Sequence, residues 1–243
     1  MNLHLLQIII HRDRFPTEAF YPFNLEVLQQ TESIQFRSPI TFFVGENGSG
    51  KSTLLRAVAQ RCGIHIWQDE GSKPYQYNPY VSKLMGCVTV EWSAGPVPGS
   101  FFGSEIFHDF TRILDEWAAS DPGQLKYFGG ESLVTKSHGE GLMAFFRSRY
   151  KIRGLHCLDE PETALSPRRQ LELLQILIQM SKAGHTQFLI ATHSPILLAC
   201  PDADILSFDY TPLQEVEYEH TDHYQIYREF MADRDRFLGQ FRK

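Results

Sequence analysis

The feature that most constrains this chain is a glycine-rich run between an apolar strand and a helix. The segment "ITFFV", residues 40–44, is continuously apolar, which is typical of a strand buried in a parallel sheet. It leads into "GENGSGKST", residues 45–53, and then into apolar positions that predict a helix from about Lys51 to Arg61. Glycine adopts positive φ angles easily, so the chain can turn sharply between the two elements. This order indicates an α/β fold.

The same run matches G-x-x-x-x-G-K-[ST], a pattern that binds phosphates when it follows a strand and opens a helix. Its glycines let the backbone N–H groups point inward, and the helix dipole adds positive potential. Lys51 would reach the β- and γ-phosphates, and the Ser52 hydroxyl would hold Mg²⁺. The sequence therefore predicts that a nucleoside triphosphate binds with Mg²⁺. The predicted cradle comprises Gly45, Asn47, Gly48, Ser49, Gly50, Lys51, Ser52 and Thr53.

Further strands and helices alternate along the chain. "LHLLQIII", "GLHCLDEP", "TQFLIATHSP" and "ADILSFD" read as strands, and a helix is expected after Ser166 as N-cap, with Pro167 first and Gly184 as its stop. Helices are also expected over about 104–119 and 138–150, and a loop or lid over 69–82. We expect one domain over residues 1–243, with a core in about 1–68 and 152–243 and a helical lobe in about 69–151.

Composition narrows the function classes. A net charge of -6 and a pI near 5.9 give no overall attraction to nucleic acid. The four cysteines are widely spaced, which favours buried thiols over a zinc or redox site. The chain carries no run of eighteen apolar residues, and its start does not resemble a secretory signal, so a soluble cytoplasmic protein without a membrane segment is the expectation.

Two later strands end in residues that suit phosphate chemistry. Asp159 and Glu160 follow an apolar strand, and His193 follows another, which puts all three at the edge of the sheet where the glycine loop begins. Asp159 would hold the metal, and Glu160 would polarise the attacking water as a general base. His193 could bond the γ-phosphate or the water.

Four segments, in order, resemble the motifs of ABC-type ATPases. "GENGSGKST" resembles the Walker A motif, "SHGEG" the signature, "LDEPETALSP" the Walker B motif with the D-loop, and "ATHSP" the H-loop. The likeness spans about residues 38–210 and is greatest to the soluble branch: RecF-like and SMC-like proteins and compact AAA-family ATPases. It implies a P-loop NTPase fold, with a mostly parallel sheet, N-terminal antiparallel strands and a helical insert lobe.

The resemblance also implies an ATP-dependent homodimer. The helix that starts at "SHGEG" would point its N-terminus at ATP held by the second protomer, so Ser137 and Gly139 would bind the γ-phosphate in trans. Ser137 and Glu140 also form a capping box, and both roles use the same unsatisfied N–H groups.

The sequence departs from the family pattern in several places. His138 replaces a signature glycine, Lys136 an apolar residue, and Ser166 the D-loop aspartate. Neither Gln68 nor Glu105 is a clear Q-loop residue. The aromatic residue that stacks on adenine stays open among Phe20, Tyr21 and Phe23.

Three function classes stay open. The first is a nucleotide-driven switch, in DNA repair or phage defence, that works on nucleic acid or a partner effector protein. The second is the ATP-binding subunit of a membrane transporter, and the third, which "SHGE" and Glu160 disfavour, is a small-molecule kinase. The basic run "RSRYKIRG" is either a solvated helix end or a nucleic-acid contact. His220 and His223 lack the further ligands that a metal site needs.

Overall fold

The computed structural model describes residues 3–67, 78–104, 107–121, 123, 125 and 138–239. The strands are β1 (Leu5–Ile10), β2 (Ser33–Gln35), β3 (Ile40–Val44), β4 (Val88–Trp92), β5 (Gly99–Gly103), β6 (Gly154–Asp159), β7 (Thr186–Ala191), β8 (Asp204–Ser207) and β9 (Gln214–Glu215). The helices are α1 (Glu26–Gln30), α2 (Lys51–Arg61), α3 (Phe107–Ser120), α4 (His138–Arg149), α5 (Pro167–Lys182), α6 (Pro195–Leu198), α7 (Asp222–Ala232) and α8 (Arg234–Leu238).

The strands form two sheets. The smaller sheet has the order β2-β1-β4 and is antiparallel, with Ile8 opposite Ile34 and Val90. The larger has the order β5-β6-β7-β3-β8-β9 and is parallel throughout except for β9, which runs antiparallel to β8. The predicted α/β fold, with a mostly parallel sheet and N-terminal antiparallel strands, is confirmed.

Both faces of the large sheet are covered, which explains why its central strands are mostly apolar on both faces. Every residue of β3, β6 and β7 is buried. On one face, Phe43 belongs to a core with α2 and the small sheet. On the other, Phe42 belongs to a core with α3, α4 and α5, in which phenylalanine rings pack edge to face.

The parallel register sets the position of the candidate site. Val44 pairs with Ser207, Phe43 with Ala191, and Asp159 with Ala191, so β3, β6, β7 and β8 end at one edge. The segments that follow these strands start at residues 45, 160, 192 and 208. The glycine loop, the Asp-Glu pair and His193 therefore leave the sheet at the same edge, as the sequence predicts.

The middle of the chain contains strands as well as helices. Two strands lie within residues 69–151: β4 pairs with β1, and β5, which the sequence did not predict, pairs with β6 at the edge of the large sheet. Prolines and glycines before Phe101 obscure β5, and they are tolerated because an edge strand needs a partner on one side only. The helical part of this range, as far as the structure describes it, consists of α3 and α4. Among the described residues, no helix has the length and apolarity to cross a bilayer.

A buried histidine on β6 shows how the core handles polar groups. His156 Nε2 lies 3.1 Å from the Ile152 carbonyl oxygen, and Nδ1 lies 2.8 Å from Ser100 Oγ. Because a carbonyl only accepts, Nε2 carries the proton and Nδ1 accepts from the serine hydroxyl. Burial lowers the pKa of His156 to about 3, so the ring is neutral in the folded chain.

We predict that His156 makes the fold acid-sensitive. Below pH 6.5 the unfolded chain binds a proton on this ring that the folded chain refuses, so stability falls as the pH falls towards 3. One such proton gives a slope of about 1.4 kcal/mol per pH unit. Urea unfolding between pH 7.5 and 5 should give a shallower slope for His156→Gln than for the natural chain, although the variant is less stable at pH 7.5. Equal slopes would contradict this account.

Candidate active site

The glycine loop folds around the ammonium group of Lys51. Gly45, Gly48 and Gly50 have φ angles of 144°, 82° and 103°, in the region that side chains disfavour. Lys51 Nζ donates hydrogen bonds to Gly45 O at 2.6 Å and Glu46 O at 2.8 Å. The lysine is only 4% exposed, so these carbonyls replace the water that the charge has lost.

Two of the glycines are also required by close neighbours. A Cβ atom at Gly50 would lie 2.7 Å from Leu25 Cδ1, and one at Gly45 would lie 3.0 Å from Asp209 Oδ1. Nothing lies within 4 Å of the corresponding point at Gly48, which is exposed. The loop is therefore packed on its inner side and open at its tip, where Glu46 and Asn47 are exposed as well.

Asp209 fixes the first turn of the loop. It follows β8, and its Oδ1 accepts a 2.8 Å hydrogen bond from the Glu46 backbone N–H. The Asp209 N–H in turn donates to Ser207 Oγ at 3.2 Å. Asp209 was not among the predicted site residues, although it follows a buried strand closely, the same pattern that predicted a role for Asp159.

Opposing effects act on the charge of Lys51. Burial lowers its pKa, while the carboxylates of Glu160, Asp209, Asp159 and Glu46 raise it, and burial has the larger effect. One ammonium is thus surrounded by four carboxylates. Such a site repels a triphosphate unless a divalent cation accompanies it.

The two residues of the predicted Asp-Glu pair differ in exposure: Asp159 is buried and Glu160 is partly exposed. Asp159 ends β6, its side chain is 7% exposed, and its Oδ2 lies 3.5 Å from Nε of Arg56 on α2. Arg56 also lies over the Phe101 ring, 5.4 Å from its centre. Glu160 leaves the strand in a left-handed conformation, with a φ of 48° that glutamate seldom adopts. This turn directs the chain away from the sheet.

His193 is held from two sides. Its backbone N–H donates to Glu162 Oε1 at 2.6 Å, and its Nδ1 lies 2.9 Å from Nε2 of His223. Its other nitrogen, Nε2, lies 3.8 Å from Glu160 Oε1. Burial lowers the pKa of His193 to about 4, with a further contribution from the Lys51 charge, so the ring is neutral near pH 7.

Glu162 gives a reason for the second glutamate in "DEPE". By accepting the His193 N–H, it joins the segment after β6 to the segment after β7. Burial raises the pKa of Glu162. Glu162 was not among the predicted site residues, although it lies in the segment "LDEPETALSP".

Some predicted residues lie outside the described part of the chain. Ser137 is one of them, and so are Lys136, Gln68 and Glu105. Gly139 lies in the first turn of α4 and is partly exposed. The serine of the predicted capping box therefore lies outside the described residues, while its Glu140 lies in the first turn of α4. For Ser166, the structure gives the predicted N-cap position of α5, but its side chain makes no capping hydrogen bond.

The structure separates the three aromatic candidates for an adenine contact. Phe23 is fully buried and packs on Phe15, so its faces are occupied. The Tyr21 hydroxyl is hydrogen-bonded to Thr53 Oγ1, in the first turn of α2. Phe20 is 57% exposed and stacks on Tyr80 with the ring planes 4° apart. Of the three, Phe20 alone is exposed, so we expect it to be the ring that is available to an adenine base.

The basic run is partly engaged within the chain. Arg147 bonds Glu172 at 3.0 Å, and Arg149 donates to the Gly99 carbonyl at 2.7 Å. Burial lowers the pKa of Arg149. These contacts favour the structural interpretation of this run, while Lys151 and Arg153 are exposed.

The predicted catalytic and metal residues thus meet at one sheet edge. Lys51, Ser52, Asp159, Glu160 and His193 follow strands that end together. The described residues contain no group of three or more His, Cys, Asp or Glu side chains that could hold a metal alone.

Two models of known protein families match the chain. One, described as "AAA domain, putative AbiEii toxin, Type IV TA system", matches residues 141–199, which include the Walker B and H-loop segments. The other, described as "AAA domain", matches residues 18–63, which include the glycine loop.

Curated relatives are ATP-binding proteins of transporters. The chain is 26% identical to "Ribose import ATP-binding protein RbsA 2" of Rubrobacter xylanophilus, over 58% of this chain and 30% of that protein. It is 27% identical to "Energy-coupling factor transporter ATP-binding protein EcfA2" of Lactobacillus acidophilus, over 62% of this chain and 58% of that protein. The chain therefore matches less than two thirds of the length of these relatives.

Solved structures share the fold. "An inward-facing conformation of a putative metal-chelate type ABC transporter" aligns with 93% of this chain and 88% of its own, at 16% identity and a TM-score of 0.52. The "SMC head domain from Thermotoga maritima" aligns with 88% of this chain and 99% of its own, at 18% identity and a TM-score of 0.46. The family-model matches and the curated relatives show that the chain is similar to AAA-domain proteins and to ATP-binding proteins of transporters, which agrees with the resemblance of its motifs to those of ABC-type ATPases.

Proposed function

We propose that this chain binds ATP with Mg²⁺, hydrolyses the β-γ phosphoanhydride, and acts as a nucleotide-driven homodimerisation switch. The observation that carries the proposal is the buried Lys51 ammonium, which the glycine loop encloses at the sheet edge from which Glu160 and His193 also emerge. A buried cation with flexible donors suits an incoming phosphate, because charged hydrogen bonds can replace its neutral ones.

The residues present fit a triphosphate with a divalent ion. The glycine N–H groups and the start of α2 would hold the phosphates, with Asn47, Ser49 and Thr53 along the cradle. Ser52 and Asp159 would hold Mg²⁺, which offsets the four carboxylates around Lys51 and stabilises the negative charge that develops on the phosphates. Asp159 would exchange its contact with Arg56 for this role.

Hydrolysis would use Glu160 and His193. Glu160 would take a proton from water as the water oxygen bonds to the γ-phosphorus and the bond to the bridging oxygen breaks. The electron pair of that bond leaves on the β-phosphate of ADP. His193 Nε2, 3.8 Å from Glu160 Oε1, would donate a hydrogen bond to a γ-phosphate oxygen. A neutral histidine suits this role because it donates without adding charge.

The second half of the site would come from another protomer. We propose that Ser137 and Gly139, at the N-terminus of α4, bind the γ-phosphate of ATP held by the partner. Two bound nucleotides would then close a head-to-tail dimer, and hydrolysis would reopen it by shifting the population towards separate chains.

The cellular role follows as a further part of the proposal. We propose one domain over residues 1–243 with a cytoplasmic location, a nucleotide-binding core in about 1–68 and 152–243 and a helical or lid lobe in about 69–151. We propose that it is a switch in DNA repair or phage defence that acts on a partner effector protein or nucleic acid. The description of one matching model as a putative toxin of a TA system favours defence over repair. The engaged arginines of the basic run favour the effector protein.

A second candidate is the ATP-binding subunit of a membrane transporter. The curated relatives favour it, since those found are named as import or transporter ATP-binding proteins. The two candidates share the nucleotide site and differ in the partner. Stable copurification with an integral membrane protein would favour the transporter, and phosphate release without an acceptor excludes a kinase as the main activity.

We predict that Glu160→Gln traps the closed dimer. The amide keeps the shape of the side chain and cannot accept the water proton, so phosphate release should fall by about 10²- to 10⁴-fold. Light scattering at saturating MgATP should show a dimer that persists in the Glu160→Gln variant. In the natural chain, the dimer should dissociate as ATP is hydrolysed.

The matched control is Glu215→Gln, an exposed glutamate on β9 far from the loop in sequence. This variant should hydrolyse ATP and dimerise like the natural chain. A Glu160→Gln chain that stays monomeric at saturating MgATP would contradict the dimer, and one with normal turnover would contradict the role of Glu160.

We predict that Phe20→Ala weakens ATP binding by about threefold to tenfold, because the adenine loses an exposed ring to stack on. Calorimetric titration with ATP and with inorganic tripolyphosphate separates this effect from damage to the loop. Tripolyphosphate has no base, so its affinity should not change, and Phe20→Tyr should bind ATP normally. Equal losses for both ligands would show that Phe20 acts through the fold.

A further inference from the structure

Near the candidate site, two histidines from different parts of the chain are in contact. His193 Nδ1 and His223 Nε2 are 2.9 Å apart, and the two ring centres are 5.0 Å apart. His223 belongs to α7, which follows the last strand of the sheet. Neither the motifs nor the comparisons assign it a function.

The start of α7 holds His223 in this position. Thr221, which is buried, caps the helix by accepting a hydrogen bond from the Tyr224 N–H at 3.3 Å. Its hydroxyl also donates to Tyr218 O at 2.8 Å. The cap fixes the first turn of α7, so His223 meets His193 from a rigid element.

Both rings are neutral near pH 7. Burial is the main cause that lowers the pKa of each, and the Lys51 charge lowers both further. A hydrogen bond between two neutral imidazoles contains one N–H, and each neutral ring carries one proton. Two arrangements are therefore possible, and they place the His193 proton on opposite nitrogens.

In the first arrangement, His193 Nδ1–H donates to His223. His193 Nε2 would then turn a lone pair towards the Glu160 carboxylate 3.8 Å away. His223 would carry its proton on Nδ1, a buried atom with no hydrogen-bond partner in the described part of the chain. The repulsion between the His193 lone pair and the Glu160 carboxylate disfavours this arrangement.

In the second arrangement, His223 Nε2–H donates to His193 Nδ1. The His193 proton then lies on Nε2 and faces Glu160, and the buried Nδ1 of His223 carries no hydrogen. Each arrangement therefore leaves one buried N–H without a hydrogen-bond partner among the described residues, on His223 Nδ1 in the first and on His193 Nε2 in the second. The contact with Glu160 decides between them, because an N–H that faces a carboxylate is attracted to it and a lone pair is repelled.

We propose that His223 is a positioning residue that holds His193 as the tautomer protonated on Nε2, aimed at the γ-phosphate side of the site. This proposal rests on the proposed ATP hydrolysis. A ring protonated on Nδ1 would offer a lone pair to a phosphate oxygen, whereas the selected tautomer offers a donor. The helix after the sheet thereby sets the chemistry of a residue in the H-loop.

The first test reads the tautomer directly on the full chain, without nucleotide. Nitrogen-15 NMR of the imidazoles distinguishes protonated from bare ring nitrogens. For His193 we expect a bare Nδ1 and a protonated Nε2. His223→Glu, whose carboxylate only accepts, should put a proton on His193 Nδ1. A natural chain with His193 protonated on Nδ1 alone would overturn the proposal.

The second test compares turnover among variants of His223. His223→Phe keeps a ring without a donor and should lower kcat by about tenfold, with KM for ATP within about twofold. His223→Gln keeps an amide N–H donor and should recover kcat to within about threefold of the natural chain. The matched control is His220→Phe, an exposed histidine three residues earlier, which should change neither readout.

Equal losses of kcat in the Phe and Gln variants would overturn the proposal in favour of a merely structural contact. Normal turnover in both would overturn it as well. A natural chain without ATP turnover but with the expected His193 tautomer would refute the proposed hydrolysis and leave the tautomer assignment standing, so the two failures are distinguishable.

Discussion

The burial of one positive charge organises this end of the molecule. Lys51 is almost wholly enclosed, and a buried ammonium must be hydrogen-bonded or the loop around it does not hold. The carbonyls of Gly45 and Glu46 meet this need, and they can face inward because the glycines accept positive φ. Asp209 then secures Glu46 from the next strand. The glycine loop, helix α2 and the segment that follows β8 therefore form one unit around the Lys51 charge.

Much of this architecture could be predicted from local patterns. The start and end of α2 follow from the glycine loop and the apolar spacing, and the structure gives the predicted range, Lys51–Arg61. The apolar runs of β3, β6 and β7 mark strands buried on both faces, and the parallel topology then brings Asp159, Glu160 and His193 to one edge. Local sequence and one topological rule suffice for these residues.

The contacts that fix those residues could not be predicted in the same way. Arg56 with Asp159, Glu46 with Asp209, and His193 with His223 all join segments far apart in the chain. No periodicity links such pairs, because their distance depends on how helices pack on the sheet. Edge strand β5 was missed for another reason: its glycine and the prolines before it are poor strand formers that an edge position tolerates.

The proposed nucleotide site and the partner on which the chain would act are separate questions. The chain shares its fold with a structure of a putative metal-chelate type ABC transporter at 16% identity, and this likeness concerns the fold alone. Under the proposed function, the site would determine when two chains close. What this closure would move depends on surfaces outside the sheet edge, because function depends on particular sites and loops rather than on the fold.

The backbone at Glu160 has a consequence for anyone who selects variants of this chain. Glutamate in a left-handed conformation is strained by of the order of 1 kcal/mol, and glycine or asparagine would relieve that strain. A library screened for thermal stability would therefore enrich glycine or asparagine at this position. The selected variants would be more stable, but they would lack the proposed activity. Thermal screening alone would discard the side chain on which the proposed chemistry depends, so an activity filter must accompany it.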